Sequence, residues 1–253
     1  MPAGAEIRRL CGYRERSSCP VRRREVPTGD VTLILSLGPA IDVDGHRRTS
    51  FLASLHDSPA LTAYQGEQHG IEVNLTPLGA RRLFGVPMHE LTNEVVDLDA
   101  LWGRSGSELS ERLHDTEGWA ARLALVECFL ADRLAEAAPA APEVSWAWHK
   151  LRRSEGRVAV ADLREELGWS ARRIVGEFRE QIGMAPKALS RVLRFNRAVR
   201  LLGDRGHDGL AEIALDCGYY DQPHLNRDFR QFAGTSPTAY LANVMPGSGG
   251  VAA

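Results

Sequence analysis

The stretch Leu210-Ala-Glu-Ile-Ala-Leu-Asp-Cys-Gly-Tyr-Tyr-Asp-Gln-Pro-His-Leu-Asn-Arg-Asp-Phe229 decides the fold of the C-terminal half of the chain. It has the pattern of a short helix, a glycine turn and a second helix whose apolar residues share one face. Gly218 suits the left-handed end of the first helix, and Asp221 suits the N-cap of the second. This order of elements predicts a helix-turn-helix.

The same pattern occurs about fifty residues earlier, between Val160 and Phe178, with Gly168 at the turn and Ser170 as the N-cap. Because the chain repeats itself, we predict two helix-turn-helix units. Between them, residues 187–202 contain neither glycine nor proline and predict one helix of about 16 residues, roughly 24 Å long. Such a spacer can hold two recognition helices in successive major grooves, about 34 Å apart.

The outward residues of the second helix in each unit are the candidate readers of DNA bases. Arginine suits guanine, and asparagine and glutamine suit adenine. In the first unit the candidates are Arg172, Arg173, Val175, Gly176 and Arg179; in the second they are Gln222, Pro223, His224, Asn226, Arg227 and Arg230. Gly176 has no side chain to read with, so the two units are expected to share the reading unequally.

A strip of four arginines also follows the spacer. It consists of Arg191, Arg194, Arg197 and Arg200. These side chains could form a solvated face, contact phosphate or form salt bridges within the protein, and the sequence leaves the three interpretations open.

Residues 144–244 resemble the AraC/XylS family of bacterial transcription regulators. The motifs that carry the resemblance include Ile213-Ala214, Cys217-Gly218-Tyr219, Asp221-Gln222-Pro223-His224-Leu225, Phe229-Arg230 and Ser236-Pro237. The resemblance implies a seven-helix, double helix-turn-helix domain that binds double-stranded DNA and contacts RNA polymerase as an activator. It assigns base reading to Arg172, Val175, Gly176, Gln222, Pro223, Asn226 and Arg227, with His224 adjacent. Repression remains an open alternative.

We expect two domains, an N-terminal α+β domain that is a small strand-rich unit plus helices, and a C-terminal all-α domain. Turn residues divide strand-like runs at 31–37, 49–55 and 70–75, short helices follow at 77–84 and 87–91, and a longer helix spans Trp119 to Glu136. The expected boundaries are an irregular basic leader at 1–27, the N-terminal domain at 28–136, a linker at 137–143, the DNA-binding domain at 144–244 and a disordered tail at 245–253.

The role of the N-terminal domain stays open between sensing an effector, forming a homodimer and docking a protein partner. The apolar stripe of the Trp119–Glu136 helix favours core packing, with a dimer or docking seam as the alternative. We find no convergent polar group there in the sequence.

Charge separates the two halves. The chain has a net charge of −2, but residues 144–253 carry 16 basic and 12 acidic side chains. The C-terminal half is therefore basic, whereas the rest of the protein is acidic. This charge distribution suits a DNA-binding module attached to another domain.

Other classes of function lack their motifs. His89-Glu90 has Asn93 where a zinc protease needs a second histidine, and no nucleophile elbow or phosphate loop is present. The scattered histidines His46, His56 and His69 and four unclustered cysteines predict no metal site. We therefore expect no enzyme, cofactor or membrane segment, and a cytoplasmic location.

Overall fold

The computed structural model describes residues 6–206, 209–244 and 250–252 of the 253-residue chain. Within them, a strand-rich N-terminal domain with helices precedes a helical C-terminal domain, as the sequence predicts.

The N-terminal domain is built on one antiparallel sheet. Its strands in this half are β1 (Ile7–Glu25), β2 (Val31–Ser36), β3 (Ile41–Val43), β4 (His46–Arg48), β5 (Phe51–Ala53), β6 (Ala60–Leu75) and β7 (Val95–Asp97). The long strand β6 pairs with β1 along one edge and with β2 and β3 along the other. Alternation along β2 and β6 buries one set of side chains, including Leu33 and Ile71, under the helices.

The leader that we predicted to be irregular is strand β1. Its side chains alternate in exposure, with Tyr13 and Glu15 partly buried and Arg14 and Arg16 exposed. Because both faces are polar, the usual alternation of apolar and polar residues is missing, and the sequence pattern gave no strand signal. The sheet of the N-terminal domain therefore begins at Ile7 rather than at residue 28.

Four helices and a 3₁₀ turn cover the buried face of the sheet. They are α1 (Pro77–Phe84), the turn Met88–Glu90, α2 (Leu98–Trp102), α3 (Arg104–Asp115) and α4 (Trp119–Glu136). The α4 stripe lies in the core, since Val126 and Leu130 are 0% exposed. Trp119 lies on Gly12 of β1, where a β-carbon would stand 2.5 Å from its ring. The stripe from Val126 to Leu134 is therefore covered by its own chain, as core packing predicts, whereas Trp119 remains 36% exposed.

The described part of the C-terminal domain contains seven helices, the number that the resemblance implies. They are α5 (Pro142–Arg153), α6 (Val160–Leu167), α7 (Ala171–Gln181), α8 (Pro186–Arg205), α9 (Leu210–Asp216), α10 (Gln222–Ala233) and α11 (Pro237–Asn243). Its core includes Phe195 of α8, whose ring lies 4.9 Å from that of Phe229 and 5.3 Å from that of Phe232.

The end of the chain departs from the prediction of a disordered tail. Residues 250–252 form strand β8 (Gly250–Ala252), which pairs antiparallel with Arg23–Glu25 of β1, and Val251 is buried. Residues 245–249 and 253 lie outside the described residues. Backbone pairing on an exposed strand edge needs no side-chain pattern, so a Gly/Ala-rich segment gives little warning of it.

Candidate nucleic-acid interface

The first helix-turn-helix unit has the turn and cap that its sequence predicts. Gly168 ends α6 with φ 63°, and the Ser170 hydroxyl accepts a hydrogen bond from the Arg173 backbone N–H at 3.2 Å. Ile174 and Phe178 of α7 are fully buried against the domain core. This packing fixes which face of α7 points outward.

The outward face of α7 carries the predicted readers. Arg172, Arg173, Gly176 and Arg179 are exposed, and Val175 is half-buried. The Arg173 guanidinium lies over the Trp169 ring, 4.5 Å from its centroid, so part of this side chain is engaged in a cation–π contact. A β-carbon at Gly176 would meet nothing within 4 Å, which leaves an open surface between the arginines.

The second unit repeats the arrangement. Gly218 has φ 79°, and the Asp221 carboxylate accepts from the His224 backbone N–H at 2.8 Å. Leu225 and Phe229 of α10 are buried. These contacts confirm the predicted N-cap and the inward positions of the recognition helix.

The predicted readers of α10 differ in exposure. Pro223, Arg227 and Arg230 are exposed, whereas Gln222, His224 and Asn226 are half-buried. The His224 ring stands edge-on to the Tyr219 ring at 5.1 Å. The Asn226 side-chain oxygen is buried and has no hydrogen-bond partner among the described residues. Asn226 is therefore less accessible in this DNA-free structure than its helical position suggests.

Helix α8 connects the two units. Its 20 residues correspond to about 30 Å at 1.5 Å per residue, which is longer than the sequence predicts. The extra length comes from Pro186, which occupies the first helical position, and from residues 203–205 at the other end.

The arginine strip on α8 forms contacts within the protein. Arg191 donates to the buried Asp228 carboxylate at 2.6 Å, and Arg197 and Arg200 both pair with Glu155. Arg194 lies over the Tyr219 ring at 5.4 Å. The structure shows the intramolecular salt bridges for Arg191, Arg197 and Arg200.

The first recognition helix also contacts the N-terminal domain, a feature that the sequence did not reveal. Glu180 near the end of α7 pairs with Arg81 of α1 at 3.1 Å and lies 3.7 Å from His89. Thr92 donates a hydrogen bond to the Gly183 carbonyl at 2.9 Å. These contacts lie at the C-terminal end of α7, so the readers in its first turns stay exposed.

The N-terminal domain encloses a cavity of about 480 Å³ on the face of the sheet that points away from the helices. Its apolar lining includes Ile34, Ile41, Val43, Phe51 and Val95; its polar lining includes Tyr13, Glu15, Arg23, Glu25, Ser54, Thr62, Tyr64, Glu72 and Asn74. The convergent polar group that we did not find in the sequence is therefore present. It comes from strands far apart in the chain, which only the sheet register brings together.

Hydrogen bonds organise one wall of this cavity. Glu15 accepts from Arg23 and from the Tyr64 hydroxyl, each at 2.7 Å. Burial opposes ionisation of Glu15, but these hydrogen bonds outweigh it and lower its pKa. Burial together with the hydrogen bond to Glu15 raises the pKa of Tyr64 to about 12. Burial and the charges of Glu72 and Glu15 raise the pKa of Tyr13 to about 12.

In the part of the chain that the structure describes, no group of three histidine, cysteine or acidic side chains is close enough to hold a metal ion. No described helix is both long and apolar enough to cross a lipid bilayer. His56 instead bonds to the Ser54 carbonyl at 2.7 Å.

Comparison with known proteins identifies the class to which this arrangement belongs. Residues 163–243 match the family described as a helix-turn-helix domain, and residues 7–97 match a domain of unknown function, DUF6597. No curated protein matches the chain.

Solved structures with the same overall architecture include ToxT from Vibrio cholerae, in its P21 form. It is 13% identical, with a TM-score of 0.50, over 94% of this chain and 98% of that one. ToxT from Vibrio cholerae O395, bound to (E)-4-(8-methylnaphthalen-1-yl)but-3-enoic acid, is 12% identical with a TM-score of 0.51 over the same shares.

The C-terminal domain of AraT, a response regulator from Geobacillus stearothermophilus, is 22% identical with a TM-score of 0.39. The match covers 44% of this chain and 93% of that one.

The two capped units and the family match define the C-terminal domain as a helix-turn-helix domain of the AraC/XylS type. The resemblance read from the sequence is thereby confirmed. Residues 163–243 thus form a helix-turn-helix domain that resembles those of this family.

Proposed function

We propose that the protein binds a specific DNA site with α7 and α10 in successive major grooves and activates transcription from it. The observation that carries this proposal is the exposure of Arg172 and Arg227 on the outward faces of two capped helices. Exposed arginine in a recognition helix can bond bidentately to guanine. Contact with RNA polymerase, implied by the family resemblance, would supply the activating step.

Arginine truncation tests the assignment of readers. A binding site is first selected from random duplexes with the full chain, and affinities are then measured by fluorescence anisotropy. We expect Arg172→Ala and Arg227→Ala each to weaken specific binding by about 1–3 kcal/mol and to relax preference at one position of the site. Arg104→Ala is the matched control, because Arg104 is 92% exposed on the N-terminal domain.

Two results would decide against these roles. Unchanged affinity in both variants would show that other residues read the DNA. An equal loss of affinity for all DNA sequences, without a change of sequence preference, would show that these arginines contact phosphate rather than bases.

We further propose that the N-terminal domain is an effector sensor rather than a docking module. Its cavity of about 480 Å³ is large enough for a small organic molecule. One ToxT structure holds an organic acid, but this cavity is lined with carboxylates, which favours a ligand of different charge. The docking alternative relied on the α4 stripe, and burial of Leu130 argues against it.

A route from the cavity to the DNA-binding domain supports this role. Asp30 lies at the cavity and pairs with Arg152 of α5 at 2.6 Å. The backbone of Glu25, another cavity residue, pairs with β8 at the far end of the chain. A ligand that changed the position of either residue would act on contacts with the C-terminal half.

A further inference from the structure

We propose that the cavity of the N-terminal domain binds an organic ammonium ion, with Glu25 and Glu72 as its counter-charges. This inference rests on the proposed role of the domain as a sensor and adds the chemical class of its effector.

The cavity contains more carboxylates than cations to neutralise them. Glu15 is paired with Arg23, and Asp30 is paired with Arg152 at 2.6 Å. Glu25 and Glu72 line the same space without a salt bridge to any described residue, while Arg9 also lines it but is exposed. A cation inside would therefore find two carboxylates, each of which attracts it more strongly than it would in water.

The two unpaired carboxylates are held in position by neutral donors. The Thr62 hydroxyl donates to Glu25 at 3.2 Å. The Asn74 amide donates to Glu72 at 2.7 Å, and the Asn74 oxygen accepts from the Thr32 hydroxyl at 2.9 Å. These bonds orient the carboxylates, and neither carboxylate forms a salt bridge with a described residue. Burial raises the pKa of Glu25 and outweighs the Thr62 hydrogen bond and the charge of Arg23, which lower it, so a bound cation would favour the charged carboxylate.

A second, independent observation also supports a ligand-binding role for this cavity. Ser54 lines the cavity and is 5% exposed, yet its buried hydroxyl has no hydrogen-bond partner among the described residues. Buried hydroxyls are nearly always hydrogen-bonded, so an unpartnered one in a cavity wall fits a group that a ligand completes.

The rest of the lining suits an organic body rather than a bare ion. The rings of Tyr13, Tyr64 and Phe51 and the side chains of Ile34 and Val43 face the same space. Aromatic faces attract ammonium groups, and the aliphatic side chains exclude water from an apolar ligand. The hydroxyls of both tyrosines stay protonated at neutral pH, since burial and adjacent carboxylates raise each pKa to about 12.

Matched ligands test the class of charge. Isothermal titration calorimetry of the full chain at neutral pH compares propylammonium, phenethylamine and tryptamine with tryptophol and indole-3-acetate. The last three share one ring system and differ in bearing an ammonium, a hydroxyl or a carboxylate. We expect saturable binding of at least one ammonium compound, and binding of tryptamine at least about tenfold tighter than of its neutral and anionic counterparts.

Matched variants then locate the site. Glu25→Gln and Glu72→Gln should each weaken binding of the ammonium compound by about tenfold or more. Glu67→Gln should leave the affinity for the ammonium compound unchanged. Glu67 lies on β6, as Glu72 does, but it pairs with Arg14 outside the cavity. Thermal melting shows whether each variant is folded; the comparison of ligands on the unaltered chain does not depend on any variant.

The outcomes separate this inference from the function on which it rests. Equal or tighter binding of tryptophol or indole-3-acetate, or no binding of any ammonium compound, overturns the ammonium assignment. Binding of the neutral or anionic probe would still leave a sensor domain. Failure of the proposed DNA-binding function would instead appear in the affinity measurements with Arg172→Ala and Arg227→Ala, which use no effector.

Discussion

Gly176 is the residue at which the two recognition helices differ most in what they can present to DNA. It lies in the middle of α7, exposed, with open space where a β-carbon would stand. No packing contact requires glycine there, and glycine weakens a helix interior. The surface of α7 that we propose to face the groove therefore depends on its arginines.

We predict that Gly176→Ala stabilises the protein by up to about 1 kcal/mol, since alanine is the better helix former. Urea denaturation measures the change. Gly168→Ala is the matched control and should destabilise, because Gly168 has φ 63°. A loss of stability in Gly176→Ala would show that this surface is packed rather than open.

The ion pair between Arg191 and Asp228 provides a second test at this scale. Asp228 is 1% exposed, whereas the Arg191 side chain is 31% exposed and can reach water. Arg191→Met leaves a buried carboxylate without its cation and should cost about 3 kcal/mol or more of unfolding free energy. Asp228→Asn removes the buried charge and should cost less. Chemical denaturation that gave the reverse order would contradict this account.

Single-residue features of the C-terminal domain were largely predictable from sequence. The N-caps Ser170 and Asp221 and the turns at Gly168 and Gly218 follow from local chemistry, which the neighbouring residues in the chain determine. The orientation of Asn226 was not predictable. Whether its oxygen points outward or is buried depends on packing between helices rather than on position within one helix.

At the scale of elements, strand β1 shows where pattern reasoning fails. Its inward residues are polar because they line a cavity, and its outward arginines are polar because they face water. A strand with two polar faces is indistinguishable from an irregular leader by hydrophobic alternation. The Glu15 cluster of the cavity, which consists of Glu15, Arg23 and Tyr64, was also missed, because its members lie on β1 and on the distant strand β6.

The hydrogen bonds of Glu15 with Arg23 and Tyr64 link β1 to β6. Because Glu15 titrates, the contribution of these bonds to stability depends on pH. The pKa of Glu15 is lowered in the folded protein, because hydrogen bonds from Arg23 and Tyr64 outweigh burial. Its stabilising effect is therefore present above the ordinary carboxyl pKa and is lost as the pH falls through the lowered value. The difference in urea midpoint between the unaltered chain and Glu15→Gln should be largest at neutral pH and shrink below about pH 4. A difference that does not change with pH would contradict this.

At the scale of the whole molecule, contacts between the domains bring the cavity and the DNA-binding surface into one structure. Arg81 and Glu180, Asp30 and Arg152, and the Gln231 amide with the Asp57 carbonyl all join the two halves. Domain contacts of this mixed polar kind are the sort that a ligand can shift. None of them was predictable from sequence, because each joins residues far apart in the chain.

The central claim is that α8 holds two recognition helices so that they read successive major grooves on one face of DNA. Inserting five base pairs between the two halves of the selected site turns one half by about half a helical turn. Anisotropy titration of the full chain should then show affinity reduced to that of a duplex carrying a single half. Affinity unchanged by the insertion would contradict simultaneous reading by α7 and α10.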